Sequence, residues 1–268
     1  MKPIFIVGVS GTLGQATARV FLAQGWRVIG TTRHPDKLTE LSKLENVKLF
    51  QLDVTNVEQI EETIEQIIHR YAIDVYFNTV GQALIGPFEC YTDEHIKDLI
   101  EINLLGVLRI SKYIIKYFRE RKRPGVVLVT SSAAAVAAPA LTSVYCATKW
   151  AIEGWAESVS HELAPLGIAV KTVSPGGIHT LSGTGSLTWV NHDAYVNLLK
   201  AVMAGFDDNR FITYSDPYVI ANVVYEAATD DKDQLRYFAG PDASSAQALR
   251  QEFEAEGHRK LLRDTLFN

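Results

Sequence analysis

Six short β-rich runs, Pro3 to Val7, Val28 to Thr32, Val47 to Leu52, Asp74 to Asn78, Val126 to Ser131 and Ile168 to Ser174, are separated by stretches long enough for a helix. That alternation restricts the chain more than any other feature. Strand, helix, strand units close by right-handed crossovers and lay their strands parallel. A parallel sheet is covered on both faces, so its strands read as near-continuous apolar runs, as these do. The segment Val57 to Tyr71 offers one cover: Val57, Ile60, Ile64, Ile67 and Ile68 form a single helical stripe. The expected fold class is α/β, a doubly wound parallel sheet with helices on both faces.

Composition narrows the setting. At 268 residues, 47% of them hydrophobic, the chain buries a large core without staples, roughly three-quarters of its unfolded surface. No Pro-, Gly- or Ser-rich linker divides it, so a single domain over 1–268 is expected. Cys90 and Cys146 are too few for a disulfide framework and lack zinc spacing, which favours a reducing compartment and no metal. A net charge of −5 leaves no footprint for nucleic acid. No apolar run approaches the ~18 residues of a membrane span, and Pro3 to Val9 is too short for a secretory segment. A cytoplasmic protein without membrane contact is the expectation.

The first strand runs into Gly8-Val9-Ser10-Gly11-Thr12-Leu13-Gly14 and then into a helix carrying Ala16, Val20 and Phe21. Glycines in such a turn permit positive φ and close backbone approach to a pyrophosphate, while the helix N-terminus offers unpaired N–H donors. The context is that of a Rossmann-type dinucleotide loop. The second strand ends Gly30-Thr31-Thr32-Arg33-His34, where an acidic residue would read the 2′-hydroxyl of NAD(H). Arg33 and the Thr32 hydroxyl stand there instead, and no acid appears before Asp36, so NADP(H) is favoured, with NAD(H) as the alternative.

Tyr145 and Lys149 are four apart, hence neighbours on a helix. A Tyr followed four later by Lys arises about 0.5 times by chance in a chain of this composition, so the pair decides nothing without its surroundings. A phenol near pKa 10 is a poor base at pH 7, and a nearby ammonium supplies the field that favours its anion. Ser132, at the end of a predicted strand, can donate to a reacting oxygen. Ser131 competes with it, and spacing to Tyr145 is the only ground for preferring Ser132.

Together these residues resemble the short-chain dehydrogenase/reductase family, over nearly the whole chain, with hydroxysteroid dehydrogenases and general carbonyl reductases as the similar members. The family pattern recurs in Asp53-Val54, in Asn78-Thr79-Val80-Gly81, in Asn103 within Ile102-Asn103-Leu104-Leu105-Gly106, and in Pro175-Gly176-Gly177-Ile178-His179-Thr180. The resemblance implies an NADP(H)-dependent oxidoreductase interconverting a ketone or aldehyde and an alcohol. Tyr145 would be its general acid/base and Ser132 would orient the carbonyl. Lys149 would bind the nicotinamide ribose and lower the tyrosine pKa, and Asn103 would anchor a water in the proton relay. Asp53 and Val54 would sit at the adenine, Asn78 and Gly81 beside the cofactor, and Pro175, Gly176, Ile178 and Thr180 around the carboxamide. A homodimer or homotetramer, formed through the helices bearing Asn103 and Tyr145, is implied as well.

Two departures stand out. Thr12 takes the place of the family's second loop glycine, and Gly8, Gly11 and Gly14 give the spacing of extended members. Thr79-Val80 replace Asn-Ala, with tighter packing near the adenosine expected. The competing readings are a catalytically silent dinucleotide-binding regulator, against which the Ser132, Tyr145, Lys149 set argues, and a nucleotide-sugar epimerase or dehydratase, for which the roughly 88 residues after Thr180 are few. Residues 181–211 are the candidate substrate lid, with Leu187, Trp189, Val190, Tyr195 and Leu198 as apolar or aromatic lining. Pro217 to Ala228 reads as helical, and Ser244 to Phe267 as helical with a break at Gly257.

Overall fold

The computed structural model describes residues 1–179, 187–208, 210 and 212–267. In chain order the elements are β1 (Pro3–Val7), α1 (Thr12–Ala23), β2 (Arg27–Thr32), α2 (Thr39–Ser42), β3 (Val47–Gln51), α3 (Val57–Arg70), β4 (Val75–Asn78), β5 (Ala83–Ile85), α4 (Asp93–Ile100) and α5 (Gly106–Arg121). They continue with β6 (Gly125–Thr130), α6 (Ser143–Leu163), β7 (Ile168–Pro175), β8 (Leu187–Trp189), α7 (Val196–Asp207), α8 (Pro217–Thr229), β9 (Arg236–Ala239) and α9 (Pro241–Phe267). Seven strands form one parallel sheet in the order β3-β2-β1-β4-β6-β7-β9. The order reverses between β1 and β4, and ligands of such sheets bind in the crevice beyond the strand ends at that point.

Alternation along each strand divides the core. Ile4 and Ile6 of β1 face one side, packed with Ala16 and Phe21 of α1 and Ile220 and Val224 of α8. Phe5 and Val7 face the other, against Ile60, Ile64 and Ile67 of α3 and Ile110 and Ile114 of α5. Each fully buried isoleucine contributes roughly 1.5–3 kcal/mol by leaving water. Helix α3 starts at Asn56, whose side chain accepts from the Gln59 N–H at 2.9 Å and satisfies one of the orphan donors of the first turn. A charge placed at Ile64 would break this layer.

The helices α4 and α5 are joined by a π-helical turn at Glu101–Leu105. Gly106 follows, where a Cβ would come within 2.9 Å of the Val54 carbonyl oxygen. Helix α9 is interrupted at Glu254, with φ 53° and ψ −172°, so the break expected at Gly257 lies three residues earlier. Glycine costs a helix about 1 kcal/mol without obliging it to stop, and Gly257 stays helical. The segment expected as a lid contains β8, paired parallel with β5, and α7. Thr180 and residues 181–186 lie outside the described residues. No described helix is long and apolar enough to cross a membrane.

Candidate active site

The glycine loop caps the crevice between β1 and β4. Gly8 has φ +83°, and a Cβ there would meet Val80 Cγ2 at 2.8 Å, so Val80 packs directly on the turn. Gly14 is pressed against the Gly8 carbonyl oxygen, which would lie 2.4 Å from an added Cβ. Gly11 differs: its φ is −67° and an added Cβ would meet nothing closer than 3.5 Å. Thr12 opens α1, and the Leu13 side chain belongs to the core. Thr12, Leu13 and Gly14 therefore present first-turn N–H groups, which have no acceptor within their helix.

A cleft of about 390 Å³ extends from this loop, and Gly8, Ser10, Gly11, Thr32, Arg33, Asp53, Val54 and Gly81 line it. Thr79 and Val80, expected to pack near the adenosine, line it too, and so do Val7, Leu52, Gln82 and Ile102, which were not expected as site residues. Most of them flank a recognised motif, and that adjacency was the available signal. Thr32 donates its hydroxyl proton to Ser10 Oγ at 2.9 Å, fixing the end of β2 to the loop. Arg33 is exposed at the rim. Asp53 accepts from the Thr55 N–H at 2.9 Å and the Thr55 hydroxyl at 2.7 Å. Burial raises its pKa, but the Thr55 bonds and the Arg33 charge outweigh that and hold it below the usual carboxylate value. Asn78 turns the chain after β4, accepting from the Val80 N–H at 3.0 Å and donating to the Tyr76 hydroxyl at 3.0 Å.

The chemical groups stand beyond Gly81, where an added Cβ would lie 3.3 Å from Lys149 Nζ and 3.6 Å from Asn103 Oδ1. Lys149 is 3% exposed. Its ammonium donates to the Thr130 carbonyl at 2.9 Å and lies 5.8 Å from the Tyr145 ring centre. Ser132 Oγ accepts from the Ala134 N–H at 3.1 Å, which orients its hydroxyl, and its action on the Tyr145 phenol draws that group's pKa down. Ser131 is buried with an unpartnered hydroxyl, and its backbone N–H bonds Val173. Ser132 is thus the serine at the phenol.

Electrostatically the pair departs from expectation. Burial pushes the Tyr145 phenol up, the Ser132 hydrogen bond draws it back, and Cys146 raises it further. The expected lowering by Lys149 is not found. Burial pushes Lys149 down to about 8, against the opposing field of Glu153, so a part-desolvated ammonium faces a protonated phenol.

Asn103, fully buried in the π turn, uses both ends of its amide on the backbone of one residue. Its Oδ1 accepts from the Gln82 N–H at 2.8 Å, and its Nδ2 donates to the Gln82 carbonyl at 2.8 Å and to Thr148 Oγ1 at 3.3 Å. It clasps the β4 turn to the tyrosine helix. After β7, Gly176 N–H bonds the Ala239 carbonyl, the Gly177 N–H donates to Asp242 at 2.7 Å, and Ile178 bridges to Ser215. The His179 ring lies 5.4 Å from that of Tyr214. Pro175, Gly176 and Ile178 lie at the C-terminal end of the same sheet, and Thr180 falls outside the described residues.

A parallel sheet with a glycine-rich strand-to-helix turn at its switch point defines a dinucleotide-binding α/β protein. The family model for short chain dehydrogenases matches residues 2–191, and the chain belongs to that oxidoreductase family. A Schizosaccharomyces pombe protein described as an uncharacterized oxidoreductase is 32% identical over 258 residues, covering 95% of this chain and 86% of the relative. The NADPH-dependent pterin aldehyde reductase of Arabidopsis thaliana is 32% identical over 185 residues, 67% of this chain and 76% of the relative. The crystal structure of a short-chain dehydrogenase from Streptomyces avermitilis superposes with a TM-score of 0.82 at 30% identity, covering 94% of this chain and 96% of that one.

Proposed function

We propose that the protein is an NADP(H)-dependent oxidoreductase of ketones, aldehydes and secondary alcohols, with Tyr145 as general acid/base. The observation that carries this reading is the part-buried Tyr145 phenol, on which Ser132 acts, with the Lys149 ammonium 5.8 Å from its ring centre and beside Gly81 of the dinucleotide crevice. Gly8, Gly14 and the first turn of α1 fit a pyrophosphate, because a side chain at either glycine would collide with backbone or with Val80. Asp53 and Val54 would flank the adenine, and Lys149 the nicotinamide ribose. A bound nicotinamide dinucleotide supplies or accepts the hydride.

The chain's own part is position and proton. Ser132 holds the substrate oxygen and Tyr145 delivers a proton to it; oxidation runs these steps backwards. A phenol is protonated at neutral pH and burial pushes Tyr145 further that way, which suits carbonyl reduction. The Arg33 guanidinium at the cleft rim favours the 2′-phosphate of NADP(H), and the NADPH dependence stated in the name of the Arabidopsis relative points the same way.

The test is cofactor consumption by the purified protein across aldehydes, ketones, quinones and steroids, with NADPH and NADH in parallel. NADPH-dependent turnover of at least one carbonyl class supports the reading. Binding of NADPH with no turnover anywhere in the panel would return the protein to the silent-regulator alternative.

A further inference from the structure

Lys149 is a buried ammonium whose hydrogen-bond partner is a neutral carbonyl. Among the described residues no carboxylate comes within ion-pair distance of its Nζ. A desolvated cation of this kind sheds its proton unless a counter-charge acts on it. One helical turn further along α6 stands Glu153, 8% exposed and four residues from Lys149 on the same helical stripe.

Glu153 is held from two strands. Its Oε1 accepts from the Ser174 hydroxyl at 3.2 Å, and its Oε2 accepts from the Thr172 hydroxyl at 3.3 Å and from Arg236 Nε at 2.8 Å. Thr172 and Ser174 alternate on one face of β7, and Arg236 sits opposite Thr172 in the β7–β9 register. Burying a carboxylate to satisfy two hydroxyls and half of a guanidinium is costly for stability alone. The other titratable groups around the pair are Tyr145, Cys146 and Glu157 on α6 and Arg236 on β9. The neighbouring end of β6 brings the Thr130 carbonyl, and the π turn between α4 and α5 brings the Asn103 amide. Arg236 also pairs with Glu157.

We propose that Glu153 is a positioning residue for the proton-handling site: its fixed carboxylate is the counter-charge that keeps Lys149 an ammonium beside Tyr145. The assignment rests on the reading of Lys149 and Tyr145 given above. Its physical content is a sign. Removing the carboxylate makes Lys149 easier to deprotonate. Removing Arg236, which offsets that carboxylate, makes it harder. The opposing action of Glu153 on the Lys149 titration agrees with this sign.

The experiment is an NMR titration of lysine side chains in the free, labelled protein, with Lys149 assigned by its loss in Lys149→Met, alongside NADPH affinity against pH. Glu153→Gln should lower the Lys149 midpoint by about one pH unit, a tenfold loss in proton affinity, and bring the alkaline fall in NADPH affinity to lower pH. Arg236→Gln should move both upward, and Glu153→Asp should restore most of the wild-type midpoint. A purely structural carboxylate would change melting temperature in all three and leave the midpoint where it was, which would overturn the proposal. Should Glu153→Gln fail to fold, the absence of an upward shift in Arg236→Gln is equally decisive. Failure of the underlying site reading is distinguishable, since NADPH would then bind Lys149→Met as well as wild type while the titration shifts persisted.

Discussion

Lys149 donates to the carbonyl oxygen of Thr130 at 2.9 Å, tying the tyrosine helix to the end of the strand that leads into Ser132. The bond fixes the spacing of Ser132, Tyr145 and Lys149, the groups proposed to handle the proton. It also places the cation against a dipole of the correct sign at the edge of the crevice, where a preorganised field costs no rearrangement at the moment of reaction.

Ser132 tests the polar half of the site. Its Oγ accepts from Ala134 and acts on the Tyr145 phenol, so Ser132→Ala removes the proposed donor to the substrate oxygen and leaves the Ala134 N–H without its acceptor. Steady-state kinetics should show kcat lower by about 10²-fold or more, roughly 2.7 kcal/mol. Ser131→Ala, which removes an unpartnered hydroxyl, should stay near wild type. The reverse ranking would exchange their roles.

Arg33 tests cofactor choice. An acidic side chain at the rim repels a 2′-phosphate and accepts from a 2′-hydroxyl. Arg33→Glu should reduce the ratio of kcat/KM for NADPH over NADH by at least about tenfold, or ~1.4 kcal/mol. An unchanged ratio would remove Arg33 from cofactor discrimination.

The loop glycines are unequal. An alanine at Gly14 would set its Cβ 2.4 Å from the Gly8 carbonyl oxygen, whereas at Gly11 the nearest atom is 3.5 Å away. Denaturant titration should find Gly14→Ala destabilised by about 1–3 kcal/mol, as for overpacking elsewhere, with Gly11→Ala close to wild type. Equal losses would mean that the close approach of loop and helix is relieved elsewhere.

Acid stability depends on a buried trio behind β7. Lys171 donates to Asp230 at 2.7 Å and Tyr237 donates to it at 2.8 Å. Burial raises the Asp230 pKa, but the bonds from Lys171, the Lys232 N–H and Tyr237 more than offset it and hold the carboxyl at about 2. The folded value lies below the unfolded one, near 3.9, so the contribution is full above pH 4 and fades as pH falls toward 2. Urea midpoints measured between pH 5 and 2 should decline less steeply in Asp230→Asn than in wild type. Parallel declines would show that the acid sensitivity lies elsewhere.

The long apolar runs were legible because a strand buried on both faces leaves no other pattern. The six expected strands match β1, β2, β3, β4, β6 and β7 to within a residue at each end. The short strands were not. β5 and β8 have three residues each and pair across about a hundred positions, and β9, at Arg236–Ala239, is too short to show alternation. Ser132, Tyr145 and Lys149 could be picked out because one strand end and one helical turn bring them together. The clasp of Asn103 on Gln82 was not, since a π turn leaves no mark in side-chain periodicity. Glu153 was hidden for another reason: its partners come from β7 and β9, a juxtaposition only the folded sheet creates.

The central claim is that the Tyr145 phenol transfers the proton while the dinucleotide binds independently of it. Tyr145→Phe keeps the ring and removes the hydroxyl, so NADPH affinity and carbonyl-dependent NADPH oxidation should be measured on the same preparation. The account predicts a dissociation constant within about twofold of wild type and turnover lower by at least about 10²- to 10⁴-fold. Turnover retained at the wild-type level, with NADPH bound, would contradict it.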